Sequence, residues 1–453
     1  MAGSGFLGAL RPLARSLIQP LRSLRKERQR AEARRFLSAV RRIERVAPPR
    51  GRRVVAMTFD DGPAATPAVP GDGTPLTEAI LRVLERYGAR GTFDVIGSTA
   101  AGYPDEQGAP GTVYWSGVRY DHYPAFGRDA EGGAEAQPGL IRRILEAGHE
   151  LANHSYSHIA FGPARLVYGR RAFLPGFDAC VADVRRLHQL ILERHGYAMR
   201  FGRPPHYIDP TADGRTAYDV YAAVGYQYLA ASFDGGGWLP STGDYARDVR
   251  RMVEPLERAL AADPEALNGR IIFEKDGYDQ SLQSPVADGL PAQLELLRRH
   301  GYEVIPVREL LELSAFADVA PEEPVARAAR ALLDAGHPVA YRDNSLQPER
   351  KLSLGELLRM AVPLARTPGA PATGPAFYAA AARQAEVAAP ARRAFGDPAP
   401  GGEWPWERRV RRGELSRFLG IAPEGLPGSP EEEVTRGEAL LALAARLARG
   451  AQR

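Results

Sequence analysis

Short apolar runs alternate with stretches of helical periodicity between Arg53 and about Ser314. Val54-Val55-Ala56-Met57-Thr58-Phe59 has the character of a buried strand. It stops at Asp60-Asp61-Gly62-Pro63, where two carboxylates followed by Gly-Pro force a turn. Leu76, Ala79, Ile80, Val83, Leu84 and Tyr87 fall on one helical face that closes at Gly88. The same reading predicts a strand over 92–96, a helix through Leu140, Ile141, Ile144 and Leu145 ending at Gly148, and an extended 150–153 leading into His154. Helices near 178–195, 244–262, 290–299 and 308–313 follow, with strands over 226–233, 270–273 and 302–307 between them. Such strand–helix repetition predicts a parallel barrel or a doubly wound sheet. In both, ligands and catalytic groups collect at the C-terminal ends of the strands, where the Asp-Asp turn falls.

Three stretches break this rhythm. Residues 1–50 are basic, and Phe6, Leu7, Leu10, Leu13, Leu17, Ile18 and Leu21 give an amphipathic pattern that Arg11 and Arg15 interrupt. That is unlike a secretory core and predicts a surface-lying or disordered arm. Residues 97–133 are rich in Gly and Pro and carry Tyr103, Tyr114, Trp115, Tyr120, His122, Tyr123 and Phe126, an aromatic insertion suited to sugar rings or to pinning the loop itself. From Ala315 the chain turns to Ala, Leu and Arg in helical patterns, broken at 367–375 and 397–405. A weak repeat, Leu354-Gly355-Glu356-Leu357, Gly413-Glu414-Leu415 and Thr435-Arg436-Gly437-Glu438-Ala439-Leu440, opens a helix each time.

Composition changes little. The chain has 453 residues and a net charge of +4, which argues for no nucleic-acid partner, and no apolar run reaches membrane-spanning length. Cys180 is the only cysteine, so no intrachain disulfide or thiolate metal cluster can form, and its helical neighbours Val181, Val184, Leu187 and Ile191 predict a buried thiol. Lys26, Lys275 and Lys351 are the only lysines, which makes any lysine within a motif notable.

His154-Ser155-Tyr156-Ser157-His158 sets two imidazoles four residues apart, a spacing that suits one divalent metal with a carboxylate as third ligand. Taken together, Thr58-Phe59-Asp60-Asp61-Gly62-Pro63, His154-Ser155-x-x-His158 and Arg203-Pro204-Pro205 resemble the first three motifs of the NodB-homology polysaccharide deacetylases, carbohydrate esterase family 4, over roughly residues 52–313. The resemblance implies a distorted (β/α) barrel followed by a mainly α-helical repeat region. It implies a divalent metal, Zn²⁺ or alternatively Co²⁺ or another ion, on Asp61, His154 and His158. It makes Asp60 the general base, with Arg203 orienting it, and implies removal of acetyl groups from an N-acetylated glycan such as peptidoglycan. Pro205, Tyr207, Asp234 and Trp238 become candidate substrate contacts.

The departures are specific. His206-Tyr207 follow Pro205 where an aromatic and Gly are usual. Gly237-Trp238, with Asp234 nearby, stands where the family's Asp-Trp pair tethers the motif arginine. Asp94 sits where the family strand has an apolar residue, and Ile271-Ile272-Phe273-Glu274-Lys275-Asp276 puts Lys275 in the place of the usual histidine acid. Lys275 or His206 then serves as general acid, or Lys275 pairs with Asp276 and turnover is impaired. That alternative describes a glycan-binding protein; another is an amidohydrolase on a small amide.

Phe316-Ala317-Asp318-Val319, the 340–345 stretch and Leu352-Ser353-Leu354-Gly355-Glu356 resemble an S-layer homology repeat, and Val434-Thr435-Arg436-Gly437-Glu438 its most recognisable tetrad. This second resemblance implies attachment to a cell-wall polysaccharide and an extracellular, wall-associated location. The expected domains are thus an arm (1–50), a catalytic domain (51–314), one repeat (315–366) and degenerate repeats (367–453).

Overall fold

The computed structural model describes residues 27–98, 113–115, 118–120, 132–163, 165–166, 169–170, 172–277, 283–399, 404–422 and 425–451. Most of the aromatic insertion and the amphipathic pattern of residues 6–21 lie outside them. The chain forms two compact units, residues 40–330 and residues 1–39 with 331–453.

The first unit is an α/β fold around one parallel sheet. Its strands are β1 (Arg42–Ile43), β2 (Arg53–Asp60), β3 (Thr92–Val95), β4 (Glu150–Asn153), β5 (Phe201–Gly202), β6 (Gln227–Leu229), β7 (Phe233–Asp234), β8 (Ile271–Lys275) and β9 (Tyr302–Val304). They run in the order β1-β6-β5-β4-β3-β2-β8-β7, with β9 pairing the start of β2. Helices α1 (Leu76–Arg86), α2 (Pro138–Glu146), α3 (Phe177–His195), α4 (Ala217–Val224), α5 (Tyr245–Ala262), α6 (Pro285–Arg299) and α7 (Val307–Leu313) fill the crossovers. The sheet curls: Ile43 of β1 shares one buried cluster with Val54, Ala152, Phe201, Leu229 and Ile271, plugged by Val307 and Leu310 of α7. It is the distorted, open barrel that the family resemblance implies, and one of the two folds that the strand–helix rhythm allows. Among the described residues β1 and β7 end the strand path and do not pair with each other.

Strand alternation sorts the faces. β2 turns Val54, Ala56, Thr58 and Asp60 inward and Val55, Met57 and Phe59 outward; the pairing Lys275↔Asp60↔Asp94 lies in one row and Glu274↔Phe59↔Phe93 in the next. The interior therefore runs from aliphatic at the strand starts to charged at their C-terminal ends. The outer row packs under helices, with the Phe59 and Phe93 rings stacked at 5.0 Å.

Glu274 is the exception in that outer row. It is fully buried and accepts a hydrogen bond from Gln293 Nε2 at 2.6 Å, and burial pushes its carboxyl up to about 8. The folded acid holds its proton more tightly than the unfolded one, so stability is lost as pH rises from the ordinary carboxylate range towards 8. Glu274→Gln is expected to melt like the parent near pH 5. At pH 8 it should be the more stable by a few kcal/mol at most, since each pH unit by which titration is delayed is worth roughly 1.4 kcal/mol. Thermal unfolding at both pH values reads the difference.

The basic arm is shorter than its composition predicts. Leu37, Val40, Ile43 and Val46 are buried at a spacing of three, and β1 pairs with β6 through Arg42↔Tyr228 and Ile43↔Leu229. Periodic apolar residues among the arginines bury this segment, Leu37 within the smaller unit and Val40, Ile43 and Val46 within the larger. The unit boundaries accordingly fall at 39/40 and 330/331 rather than 50/51 and 314/315, and Phe316 accepts the Ala47 N–H at 2.7 Å. The expected strand over 226–233 is likewise divided into β6 and β7.

Helix α8 (Pro324–Asp334) leads into the second unit, which holds α9 (Leu354–Met360), α10 (Pro375–Ala382), α11 (Ala385–Phe395), α12 (Arg412–Leu419) and α13 (Arg436–Ala451). Each copy of the weak repeat is a helix start whose glutamate accepts the N-cap N–H: Glu356 from Ser353, Glu414 from Arg411, Glu438 from Thr435. The residues just before them form a ring. Leu352 N–H donates to Val434 O (2.8 Å), Val434 to Val410 O (2.9 Å), and Val410 back to Leu352 O (3.1 Å). Residues 34–39 belong to this unit, where Leu37 N–H donates to the Tyr378 hydroxyl at 2.9 Å. No helix among the described residues is long and apolar enough to cross a membrane.

Candidate active site

Asp60, Asp61, Asp94, His154, His158, Arg203 and Lys275 lie at or just past the C-terminal ends of β2, β3, β4, β5 and β8, and all are buried. Asp61 takes φ +78° as the chain leaves β2, a left-handed turn that a non-glycine residue holds only under constraint. Gly62 lets Asp276 approach the turn, because a Cβ at residue 62 would lie 1.9 Å from Asp276 Oδ2. Asp276 is fixed by the Thr77 hydroxyl (2.9 and 2.8 Å), so the expected alternative pairing with Lys275 does not form. Lys275 Nζ instead lies 2.7 Å from Asp61 Oδ2.

The histidine loop is held by backbone capture. Ser155 and His158 have φ +70° and +55°. Asn153 Oδ1 accepts the Ser155 N–H (2.9 Å), Ser155 Oγ that of His158 (2.9 Å), and Asp183 Oδ2 of α3 those of Tyr156 and Ser157 (3.0 and 3.2 Å). Cys180, one turn earlier on α3, is buried as expected.

Two clusters result. In the first, Asp61 Oδ1 is 3.2 Å from Nε2 of both His154 and His158, and the two Nε2 atoms are 3.1 Å apart. His154 Nδ1 lies 2.9 Å from the Arg203 carbonyl, which only an Nδ1–H satisfies, so Nε2 is the ring nitrogen left to face Asp61 and, once deprotonated, a metal. Three donors of hard and borderline character within 4.8 Å of one another, with one imidazole oriented by a carbonyl behind it, fit a divalent cation. Burial raises the Asp61 carboxyl, but Lys275 and the two histidines outweigh this and hold it well below the usual range.

In the second cluster Arg203, fully buried, donates Nη1–H to Asp60 and Nη2–H to Thr58 Oγ1 (3.1 Å), and its Nε lies 3.5 Å from Asp94 Oδ2. Asp94 is completely enclosed, neither oxygen makes a hydrogen bond among the described residues, and burial lifts it to about 7 against the pull of His154 and Arg203. Asp94 thus occupies the place expected for Asp234. The latter is exposed at the end of β7 and accepts from Trp238 Nε1 (3.2 Å) and Gly236 N–H (2.9 Å). Asp94 was legible only as an odd polar residue in a strand; its register opposite Asp60 gives it a role. Thr58 and Asp183 left no comparable signal.

His206 and Tyr207, both at positive φ, form a one-turn 3₁₀ helix beyond Arg203. The His206 ring centroid is 4.8 Å from that of His158, and the Arg203 guanidinium lies 5.3 Å from the Tyr207 ring centre. Tyr207 is 37% exposed and Pro205 is buried. Tyr207 and Ile208 N–H groups close onto the Pro204 and Pro205 carbonyls.

Residues 47–228 match the family model of polysaccharide deacetylases, ending before β7 and β8, so Lys275 lies outside the match. A peptidoglycan-N-acetylglucosamine deacetylase of Listeria monocytogenes is 21% identical over 278 residues, covering 61% of this chain but only 42% of that protein. One from Bacillus cereus is 23% identical over 263 residues, covering 58% and 90%. The solved chitin deacetylase of Colletotrichum lindemuthianum aligns with TM-score 0.40 and 19% identity, covering 63% of this chain and 95% of that one. Residues 47–228 are therefore similar in sequence to the polysaccharide deacetylase domain.

Proposed function

We propose that this chain is a metal-dependent hydrolase that removes acetyl groups from an N-acetylated glycan, with peptidoglycan the first substrate to test. The convergence of Asp61, His154 and His158 beside an arginine-held Asp60 carries the reading. The names of the two bacterial relatives point to the same bond and polymer.

A divalent ion on Asp61, His154 and His158, Zn²⁺ or Co²⁺, would acidify a bound water and polarise the acetamide carbonyl. Asp60, next to that triangle, takes the proton; its Oδ2 is 3.8 Å from His154 Nε2. Arg203 holds the other oxygen of Asp60, so the base faces one way. Lys275, whose Nζ is 2.7 Å from Asp61 Oδ2, is the group that would give a proton to the leaving amine nitrogen, and His206 is the other candidate. Pro205, Tyr207, Trp238 and Asp234, which accepts from Trp238 Nε1, are the residues assigned to sugar contact in this reading.

A second reading keeps the glycan but not the turnover, because Lys275 replaces the expected histidine. Acetate release from peptidoglycan and chitooligosaccharides, with Zn²⁺ or Co²⁺ returned to chelated protein, separates the two. The hydrolase predicts metal-dependent release that falls at least about 100-fold in Asp60→Asn. Metal-bound protein that binds glycan yet releases nothing would favour the second reading.

The second unit is proposed to bind cell-wall polysaccharide, placing the protein at the wall outside the cell. The support is the sequence resemblance together with three similarly capped helix starts around one ring of hydrogen bonds. Co-sedimentation of the protein with purified wall polymer, compared with a chain ending at residue 330, tests it.

A further inference from the structure

The pocket encloses three carboxylates, Asp60, Asp61 and Asp94, and two side-chain cations apart from the histidines. Arg203 is shared between Asp60 and Asp94, which leaves Lys275 to Asp61. The two oxygens of Asp61 face different ways: Oδ1 meets both His Nε2 atoms at 3.2 Å, whereas Oδ2 receives Nζ at 2.7 Å. Lys275 can hold this position because its strand neighbour is Asp60, in register on the same inward face. The Lys275 chain also packs where Gly277 leaves room, since a Cβ there would come within 2.8 Å of Lys275 Cε.

We propose that Lys275 is an internal counter-cation of the metal site, which weakens divalent-ion binding by drawing on Asp61 and stabilises the metal-free pocket in its place. This rests on Asp61, His154 and His158 being the ligands. A neutral residue at 275 would leave the full carboxylate charge for the ion. With an ammonium on Oδ2, Asp61 is a poorer donor, and the ion must also enter beside a like charge. Partners behind a ligand change affinity by about 10–100-fold when they raise ligand basicity. A cationic partner acts with the opposite sign.

The test is Co²⁺ and Zn²⁺ affinity of the full chain at one fixed pH by titration calorimetry, with the visible Co²⁺ spectrum reporting the ligand set. Lys275→Gln keeps a hydrogen-bond donor and removes the charge; it is expected to bind about 10-fold tighter or more. Lys275→Met should do the same, and Lys275→Arg should stay within about threefold of the parent, because the charge is retained. Metal-free Lys275→Gln should melt below the parent and gain more from added metal, a readout independent of turnover. Equal or weaker binding by both neutral variants, with the Co²⁺ spectrum unchanged, would overturn the counter-cation role alone. Parent affinity that survives His158→Ala would instead remove the ligand assignment, and the inference with it.

Discussion

Arg203→Met is expected to lose about 10²–10³-fold in kcat while still binding metal. The side chain lies between two buried carboxylates and is fully enclosed. Removing it leaves Asp60 without the donor that aims it, whereas His154 keeps its orientation, because Nδ1 bonds to the backbone carbonyl of residue 203. Stability should fall as well, by about 3–5 kcal/mol, the cost of breaking a buried pair from one side. Asp94→Asn in the same background separates the two effects: with one carboxylate neutralised, part of the stability returns but the activity does not. Asp94→Ala alone should lower kcat about 10-fold with KM nearly constant, since Arg203 then lacks its second anchor. Asp234→Ala, on an exposed residue that holds Trp238, should act on KM rather than kcat. If Asp234→Ala reduced kcat as much as Asp94→Ala, Asp94 would not be the anchor.

Arg436→Met should unfold the second unit or cost it about 3–5 kcal/mol. Arg436 is fully buried, donates to the carbonyls of Leu346 and Val339 (2.7 Å each), lies over the Tyr341 ring and pairs with Glu356 at 3.3 Å. Glu356 in turn caps α9 and accepts from Tyr341, so the methionine would strand a charged cap in the interior. Arg412 stands at the matching place as the first residue of α12 and pairs with Glu438 at 2.8 Å, whereas Leu354 is the first residue of α9. Arg412→Met, whose partner is more exposed, should therefore cost less. Differential scanning calorimetry of the full chain reads both, and a loss confined to one transition would locate it in this unit. The tetrad arginine of the sequence motif is a strut here, so any wall contact must fall to other side chains.

Much of this architecture is legible in the sequence. The strand–helix alternation is written in period-2 and period-3.6 patterns that each element carries locally, and the Gly and Pro punctuation marks its ends. The Asp-Asp turn and the histidine pair stand out because metal and proton chemistry needs those side chains at short spacing, and they meet in one pocket. The arm is misjudged because composition counts arginines, whereas burial follows four apolar residues at a spacing of three.

Local pattern was enough for the parallel α/β class, the place of the pocket at the strand ends and the residues whose chemistry is short-range. Which charge serves which could be read only from the folded chain. Asp94 rather than Asp234 anchors Arg203, and Lys275 pairs with Asp61 rather than with its neighbour Asp276. The cause is register. Side chains on adjacent strands share a face only once the strands are paired, and the pairing of β8, β2 and β3 aligns residues 275, 60 and 94 although they are far apart along the chain.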